Sequence, residues 1–328
     1  MGAWRVRVVV LWMRLLRLLA LNQPVGGKTP GYPSKKEIVM ETTAGPDKAL
    51  TEKVLNAYSN IENPRLKFIV STLIKHLHAC VKEIKVTDDE WEFAWDFMER
   101  MAAMTGPERN EFLLFADVIG VSQLIETLNH EKPAQPVGFA LVGPFLRAND
   151  PFRERGASIA SDDTPGTRVR ISGRVFDFET KTPIKGAILD TWQAATNGFY
   201  ENQDPNQPDY NLRGRFITDE NGTFEVVALM PTAYPVPTDG PVGELLRAAK
   251  RPPDRPAHIH FIVSAPGYET LVTQIFVKGD PIIEDDAVFT ASRNMVGDFE
   301  KEGDHFRLAY DFPLKPGVSI MPKAPIPA

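Results

Sequence analysis

Apolar positions recur at helical spacing from about Ala49 onward. Asn63-Pro64 offers a cap residue and a first-turn proline. Behind it Leu66, Ile69, Val70, Leu73, Leu77, Cys80, Val81 and Ile84 follow at three- and four-residue steps, which predicts one face of a long helix. Thr87 to Glu90 has the spacing of a capping box, and Trp91, Trp95 and Met98 predict the stripe of a second helix. After the Gly106-Pro107 break, Phe112, Phe115, Ala116 and Ile119 predict a third. Such stripes are more often internal core than interface, but a dimer contact would use the same pattern.

Near Pro133 the texture changes: proline and glycine become frequent and apolar residues alternate. Val169, Ile171, Gly173 and Val175 take every second place with arginines between them, a half-buried strand that Phe176-Asp177 ends or bulges. Asp219-Glu220-Asn221-Gly222 between two apolar runs predicts a hairpin. His258 to Val263 and Leu271 to Val277 form a second candidate pair across Ala265-Pro266-Gly267. The expected fold is mainly β with a helical N-terminal domain: helices over residues 47–133, then an antiparallel β-sandwich over 134–328. No repeat, Gly-rich phosphate loop or heptad pattern is visible.

The chain has 328 residues, a length that suits two domains. Its formal net charge of -6 removes the positive field that would draw nucleic acid. Cys80 is the single cysteine, so no intrachain disulfide can form, which suits a reducing, cytoplasmic setting. On its apolar stripe Cys80 reads as a packed, inert thiol. Residues 1–46 form an extension, Gly-, Pro- and Lys-rich from position 21, that reads as a flexible lead-in. Its first twenty residues are apolar but carry Arg5, Arg7, Arg14 and Arg17, and the uncharged stretch Val8 to Met13 is too short to span a bilayer. With no acidic residue before Glu37 it loosely resembles a transit peptide; a start at Met13 or Met40 is the favoured reading.

Four of the six histidines fall in two His-x-His pairs. His76 and His78 lie in a helical pattern, where residues two apart face different ways, and read as solvated surface groups. His258 and His260 lie in a strand pattern, where residues two apart share a face, so they could grip one transition ion. A hydrogen-bonded core pair explains the same motif equally well. Tyr200 follows the Ile188 to Trp192 run and Tyr234 sits in a proline-flanked turn; each alone reads as a packed turn tyrosine.

The run from Leu189 to Phe289 resembles the intradiol ring-cleavage dioxygenases in LDTWQAATNGFY, LRGRFITDENGTF, MPTAYPVPTDGPVGELL, RPAHIHFIVSAPGYETLVTQIF and GDPIIEDDAVF. The helical N-terminal region and LVGPF at Leu141 to Phe145 extend the resemblance to the catechol and hydroxyquinol branch, and RPAHIHFIVSAPGY, YPVPTDGPVGELL and GDPIIEDDAVF are most similar to its hydroxyquinol members. The resemblance implies one Fe(III) per subunit, ligated by Tyr200, Tyr234, His258 and His260. It implies charge-stabilising roles for Arg255 and Gln274, and it makes Tyr234 the ligand that leaves and takes up a diol proton. Leu114, Asp117, Leu141, Gly143, Pro144, Phe145, Val236 and Pro237 become substrate-pocket positions. Leu146 departs from the aromatic or polar residue common elsewhere, which blurs the fine substrate assignment.

Further implications are a small aromatic diol or triol and O2 as reactants, a homodimer through the N-terminal helices, and no membrane span. Asp117, a carboxylate in an apolar helix, either receives a third ring hydroxyl or bonds nearby backbone. For Arg255 the alternative to a charge-stabilising role is a salt bridge to a nearby carboxylate, ranked below it. Rival readings are a catechol or chlorocatechol dioxygenase, a non-catalytic β-sandwich binding module, and a zinc hydrolase that lacks a His-Glu-x-x-His arrangement.

Overall fold

The structure, a computed structural model, describes residues 46–106, 109–130 and 137–325. The reading of the N-terminal extension therefore lies outside the described residues, except at its last position. By compactness the chain divides into one unit up to Glu99 and a second from Arg100.

The first unit is helical: α1 (Pro46–Ala57), α2 (Pro64–Ile84) and most of α3 (Asp88–Met104). Asn63 caps α2 by accepting from Leu66 N at 3.0 Å, and Lys85 closes it in the left-handed conformation. The capping box at α3 forms as its spacing predicts: Glu90 accepts from Thr87 N at 2.9 Å and Thr87 Oγ1 from Glu90 N at 3.3 Å. His78 contacts Thr51 Oγ1 at 3.0 Å, so it faces α1 and not open solvent.

The predicted stripe of α2 is only partly core. Cys80 is buried, but Leu66, Ile69, Leu73, Leu77 and Val81 are exposed on the single chain. On α3 the buried positions are Ala94, Phe97 and Met101, while Trp91 and Trp95 lie outside. These helices carry two apolar faces, and periodicity alone does not say which one packs.

In the second unit α4 (Glu111–Val118) and α5 (Val121–His130) accompany two five-stranded sheets. In one sheet β1 (Arg168–Asp177) pairs antiparallel with β4 (Thr223–Leu229). It also pairs parallel with β11 (His305–Ala309), whose far edge carries β10 (Glu300–Glu302), and with β12 (Phe312–Leu314). Gly173 lies between the stretches of β1 paired to β11 and β12, and a Cβ there would sit 1.8 Å from Tyr310 O. The other sheet runs β3 (Arg213–Ile217), β2 (Ile188–Trp192), β7 (His258–Ser264), β8 (Leu271–Val277), β9 (Val296–Gly297). Only its β8–β9 edge is parallel. The sandwich is thus mixed, with antiparallel character, rather than wholly antiparallel.

One expected hairpin is replaced by a corner. The Asp219 turn joins β3 to β4, which lie in different sheets. Asp219 accepts from Asn221 N and Thr223 N, both at 2.9 Å, a local turn device that works equally well between sheets. The β7–β8 pair forms as predicted.

Val169, Ile171 and Val175 meet Leu189, Phe216, Ile259, Phe261, Val263 and Ile275 in the core between the sheets. Because strand side chains alternate, β7 turns its odd positions into that core and His258, His260 and Ile262 to the opposite face. That face is buried as well.

Candidate metal centre and active site

Four distant segments bring four donor atoms into one ring. His258 and His260 come from β7. Tyr200 ends a tight turn made by Gly198 (φ 85°) and an Ala195 N to Phe199 O bond of 2.9 Å, and its backbone N–H donates to Gln203 Oε1. Tyr234 opens β5 (Tyr234–Pro235), a two-residue strand paired with β6 (Asp254–Arg255) so that Tyr234 stands opposite Arg255. The ring edges are Tyr200 Oη to Tyr234 Oη 2.7 Å, Tyr200 Oη to His260 Nε2 3.0 Å, His260 Nε2 to His258 Nε2 3.1 Å, and His258 Nε2 to Tyr234 Oη 3.3 Å.

Each donor is held from behind. The Pro256 carbonyl lies 2.7 Å from His258 Nδ1 and accepts its proton, leaving the Nε2 lone pair to face the ring. His260 is stacked on Trp192 (centroids 4.5 Å apart, 13° between planes) and flanked at Nδ1 by the Gln274 amide at 3.3 Å. Tyr200 stacks on Phe145 at 4.6 Å. Behind Tyr200, the buried Glu201 accepts from Arg213 Nε at 2.6 Å and Arg147 Nη1 at 2.8 Å. Arg255 donates to Asp286 Oδ1 (3.1 Å), Gln274 Oε1 (2.8 Å) and His258 Nε2 (3.1 Å). The salt bridge ranked as the lesser alternative for Arg255 therefore exists, to Asp286, and it coexists with a place at the site. The two readings were never exclusive, because guanidinium has five N–H donors to distribute.

Desolvation dominates the electrostatics. Burial, then the neighbouring Tyr234, raises the Tyr200 pKa well above 10; burial raises Tyr234 as well, with Arg255 opposing. Burial and Arg255 push His258 down to about 3, and burial and His258 hold His260 well below its ordinary value. Neutral imidazoles are ready ligands, while such phenols ionise only if a cation supplies the compensating charge. Among the described residues no three His, Cys, Asp or Glu side chains gather as metal ligands. The ring edges suit donors at ~2.0–2.2 Å from one first-row ion. Two phenolic oxygens and two imidazoles, with no thiolate, suit a hard, highly charged ion, so the residues fit iron(III).

The ring opens on a small, mainly apolar cavity. Leu114, Asp117, Leu141, Gly143, Pro144, Phe145, Val236 and Pro237 all line it, as do Tyr200, Tyr234, Arg255 and His260. Gln274 lies behind His260, its amide nitrogen donating to Leu141 O at 3.0 Å. At Gly143 (φ 75°) a Cβ would make only ordinary contact with His260 Cε1 at 3.7 Å, so it is the left-handed backbone that favours glycine there. Leu146 is buried beside Phe145, Trp192 and Tyr200. The buried face of α4 is Glu111, Leu114, Asp117 and Val118, whereas Phe112 of the predicted stripe is exposed. Glu111 selects that face by accepting from Val242 N at 3.2 Å and pairing with Arg109. Asp117 is 4% exposed, its Oδ1 has no partner, and burial raises its pKa to about 6 against a Ser122 hydrogen bond. Sequence reasoning missed Val142, Trp192 and Val288 in the lining, and Glu201, Arg213 and Asp286 behind it.

This site stands on a fold shared with known proteins. Residues 141–316 match the family described as "Dioxygenase", and residues 63–136 match "Catechol dioxygenase N terminus". The chain belongs to the intradiol ring-cleavage dioxygenases, iron-using oxidoreductases. Hydroxyquinol 1,2-dioxygenase of Rhizobium sp. (strain MTP-10005) is 42% identical over 254 residues, covering 77% of this chain and 85% of that protein. The 6-chlorohydroxyquinol 1,2-dioxygenase of Cupriavidus pinatubonensis is 38% identical over 268 residues, 81% and 96% of the two chains. The crystal structure of hydroxyquinol 1,2-dioxygenase from Pseudomonas putida DLL-E4 superposes with a TM-score of 0.77 at 36% identity, covering 83% of this chain and 99% of that one. Family membership removes the non-catalytic sandwich and the zinc hydrolase from consideration.

Proposed function

We propose that this chain cleaves hydroxyquinol-type substrates with O2 between two hydroxyl-bearing carbons, using one Fe(III) per subunit held by Tyr200, Tyr234, His258 and His260. The observation that carries the reading is a four-donor ring opening on the same cavity as the unpartnered Asp117 Oδ1. When bound, a trivalent ion supplies the charge that ionises the phenols and binds the diol oxygens.

The chain's residues do the rest. Tyr234, which lines both this cavity and the neighbouring pocket, is the phenol that swings from the ring and takes a diol proton on Oη. Tyr200, pinned by Phe145 and 1% exposed, stays. Arg255 supplies a permanent cation to negative charge developing on the ring, and Gln274 positions His260 and Arg255 together. Leu114, Leu141, Gly143, Pro144, Phe145, Val236 and Pro237 sandwich the arene and exclude water, while Asp117 accepts from the third hydroxyl.

The exposed row Leu66, Ile69, Leu73, Leu77 and Val81 supports a homodimer through the N-terminal helices. Leu73→Glu with Leu77→Glu is expected to convert a sedimenting dimer to monomer. No helix among the described residues is long and apolar enough to cross a membrane, and the buried Cys80 thiol suits a cytoplasmic enzyme. The test of the activity is side-by-side turnover of hydroxyquinol, catechol and chlorocatechols with product identification. A higher kcat/KM for hydroxyquinol and a ring-opened dicarboxylate are expected; preference for catechol or chlorocatechol would overturn the substrate assignment.

A further inference from the structure

Asp286 lies outside the metal ring and its cavity, yet it touches both sides of the site's wall. It is 4% exposed. Its Oδ1 accepts from Arg255 Nε at 3.1 Å and Val288 N at 3.3 Å. Its Oδ2 accepts from Arg255 Nη2 at 3.3 Å, and from Thr290 N and Ala291 N, both at 3.0 Å. One carboxylate thus closes a backbone cradle over residues 286–291 and grips the guanidinium that faces the donor ring.

The cradle is a demanding piece of chain. Phe289, a non-glycine residue, sits at φ 61°, a conformation that persists only where surroundings enforce it. Arg251 lies over its ring at 4.4 Å and donates to Val118 O (2.7 Å) and Ala287 O (3.0 Å), and Thr290 Oγ1 donates to Gln123 Oε1 at 3.1 Å. These contacts tie the cradle through Arg251 to the end of α4, the helix that carries Asp117, and through Thr290 to α5, with Val288 in the cavity wall.

Resting on the proposed reaction, we infer that Asp286 is a positioning residue: it fixes Arg255 relative to the donor ring and locks that placement to the Val288 wall. Without it the Arg255 head group keeps Gln274 as a partner but loses the two-point grip that sets its plane. A misplaced cation binds the substrate about as well and stabilises its developing charge poorly, so turnover suffers more than affinity.

The experiment uses the iron-loaded full chain in four forms: wild type, Asp286→Asn, Arg255→Gln and the double variant. Asp286→Asn is expected to lower kcat about 10- to 100-fold with KM within about threefold, and the double variant to fall no further than about threefold below Arg255→Gln. Losses that multiply, or a kcat for Asp286→Asn within about threefold of wild type, would overturn the inference. A second readout uses the metal-free chain: the Arg255 Nε–H resonance, assigned by its absence in Arg255→Gln, is expected to lose its shift and exchange protection in Asp286→Asn. An unchanged resonance would also overturn it. If Asp286→Asn fails to fold, Asp286→Glu replaces it in every arm, with the same readings. A wild type that turns over no diol sinks the proposed function, while the resonance still decides whether Asp286 sets Arg255.

Discussion

Replacing Asp117 separates the demands of folding from those of recognition. Its carboxylate is buried, and the rise in pKa from 3.8 to about 6 is caused chiefly by that burial. The folded state therefore holds a proton between pH 4 and 6 that the unfolded chain has released. This stability contribution is complete below about pH 4 and is lost as pH rises through 6, when the buried group must ionise. A shift of that size corresponds to about 3 kcal/mol, an upper figure. Asp117→Asn should therefore be more stable than wild type at pH 8 by up to about 3 kcal/mol, with the gap closing toward pH 4, measured by urea unfolding of the metal-free chain.

Recognition moves the other way. A hydrogen bond to a charged acceptor contributes about 1.5–3 kcal/mol, so Asp117→Ala should lower the kcat/KM ratio of hydroxyquinol to catechol about 10- to 150-fold. In wild type the same ratio should grow as pH rises through about 6, where the acceptor ionises. An unchanged ratio in Asp117→Ala, or a flat pH profile of the wild-type ratio, would refute the role given to this side chain.

Other perturbations probe the frame. Glu201→Gln leaves the buried Arg213 without its anion and should cost about 3–5 kcal/mol in urea unfolding. Gly173→Ala drives a methyl into Tyr310 O and should destabilise by about 1–3 kcal/mol, because backbone is what must move. Asp150 and Asp190 are both buried; burial raises both pKa values, and at Asp190 the neighbouring Asp150 adds repulsion. Both hold protons in the folded state that the unfolded chain releases, so their contribution is lost as pH rises. Asp190→Asn should flatten the decline of Tm on the alkaline side, and an unaltered pH profile would contradict the shared burial.

The histidine half of the donor ring was legible because strand periodicity acts over two residues: His258 and His260 had to share a face wherever the strand lay. Helix periodicity, by which residues two apart face different ways, showed why His76 and His78 could not. Tyr200 and Tyr234 were not separable from ordinary turn tyrosines by local chemistry, since their meeting depends on β5 pairing with β6 and on the Gly198 turn, which are long-range and backbone matters. Their assignment came from resemblance. What the pattern could not decide was which of two apolar helix faces packs, as at Phe112 and Leu114, and whether the Asp219 turn folds back on one sheet or crosses to the other. Both choices are made by partners far along the chain, Glu111 with Val242 in one case and β1 with β4 in the other. Asp286 was missed for a related reason: nothing near it in sequence indicates that its carboxylate faces Arg255.

Iron titration of the metal-free chain, followed by visible absorbance, tests the ring itself. One Fe(III) per chain should bind with a visible tyrosinate-to-iron charge-transfer band that weakens or shifts in Tyr200→Phe and Tyr234→Phe. Iron bound at that stoichiometry without a visible band, or a band untouched by either substitution, would mean that the phenols and imidazoles seen at 2.7–3.3 Å do not form the metal centre.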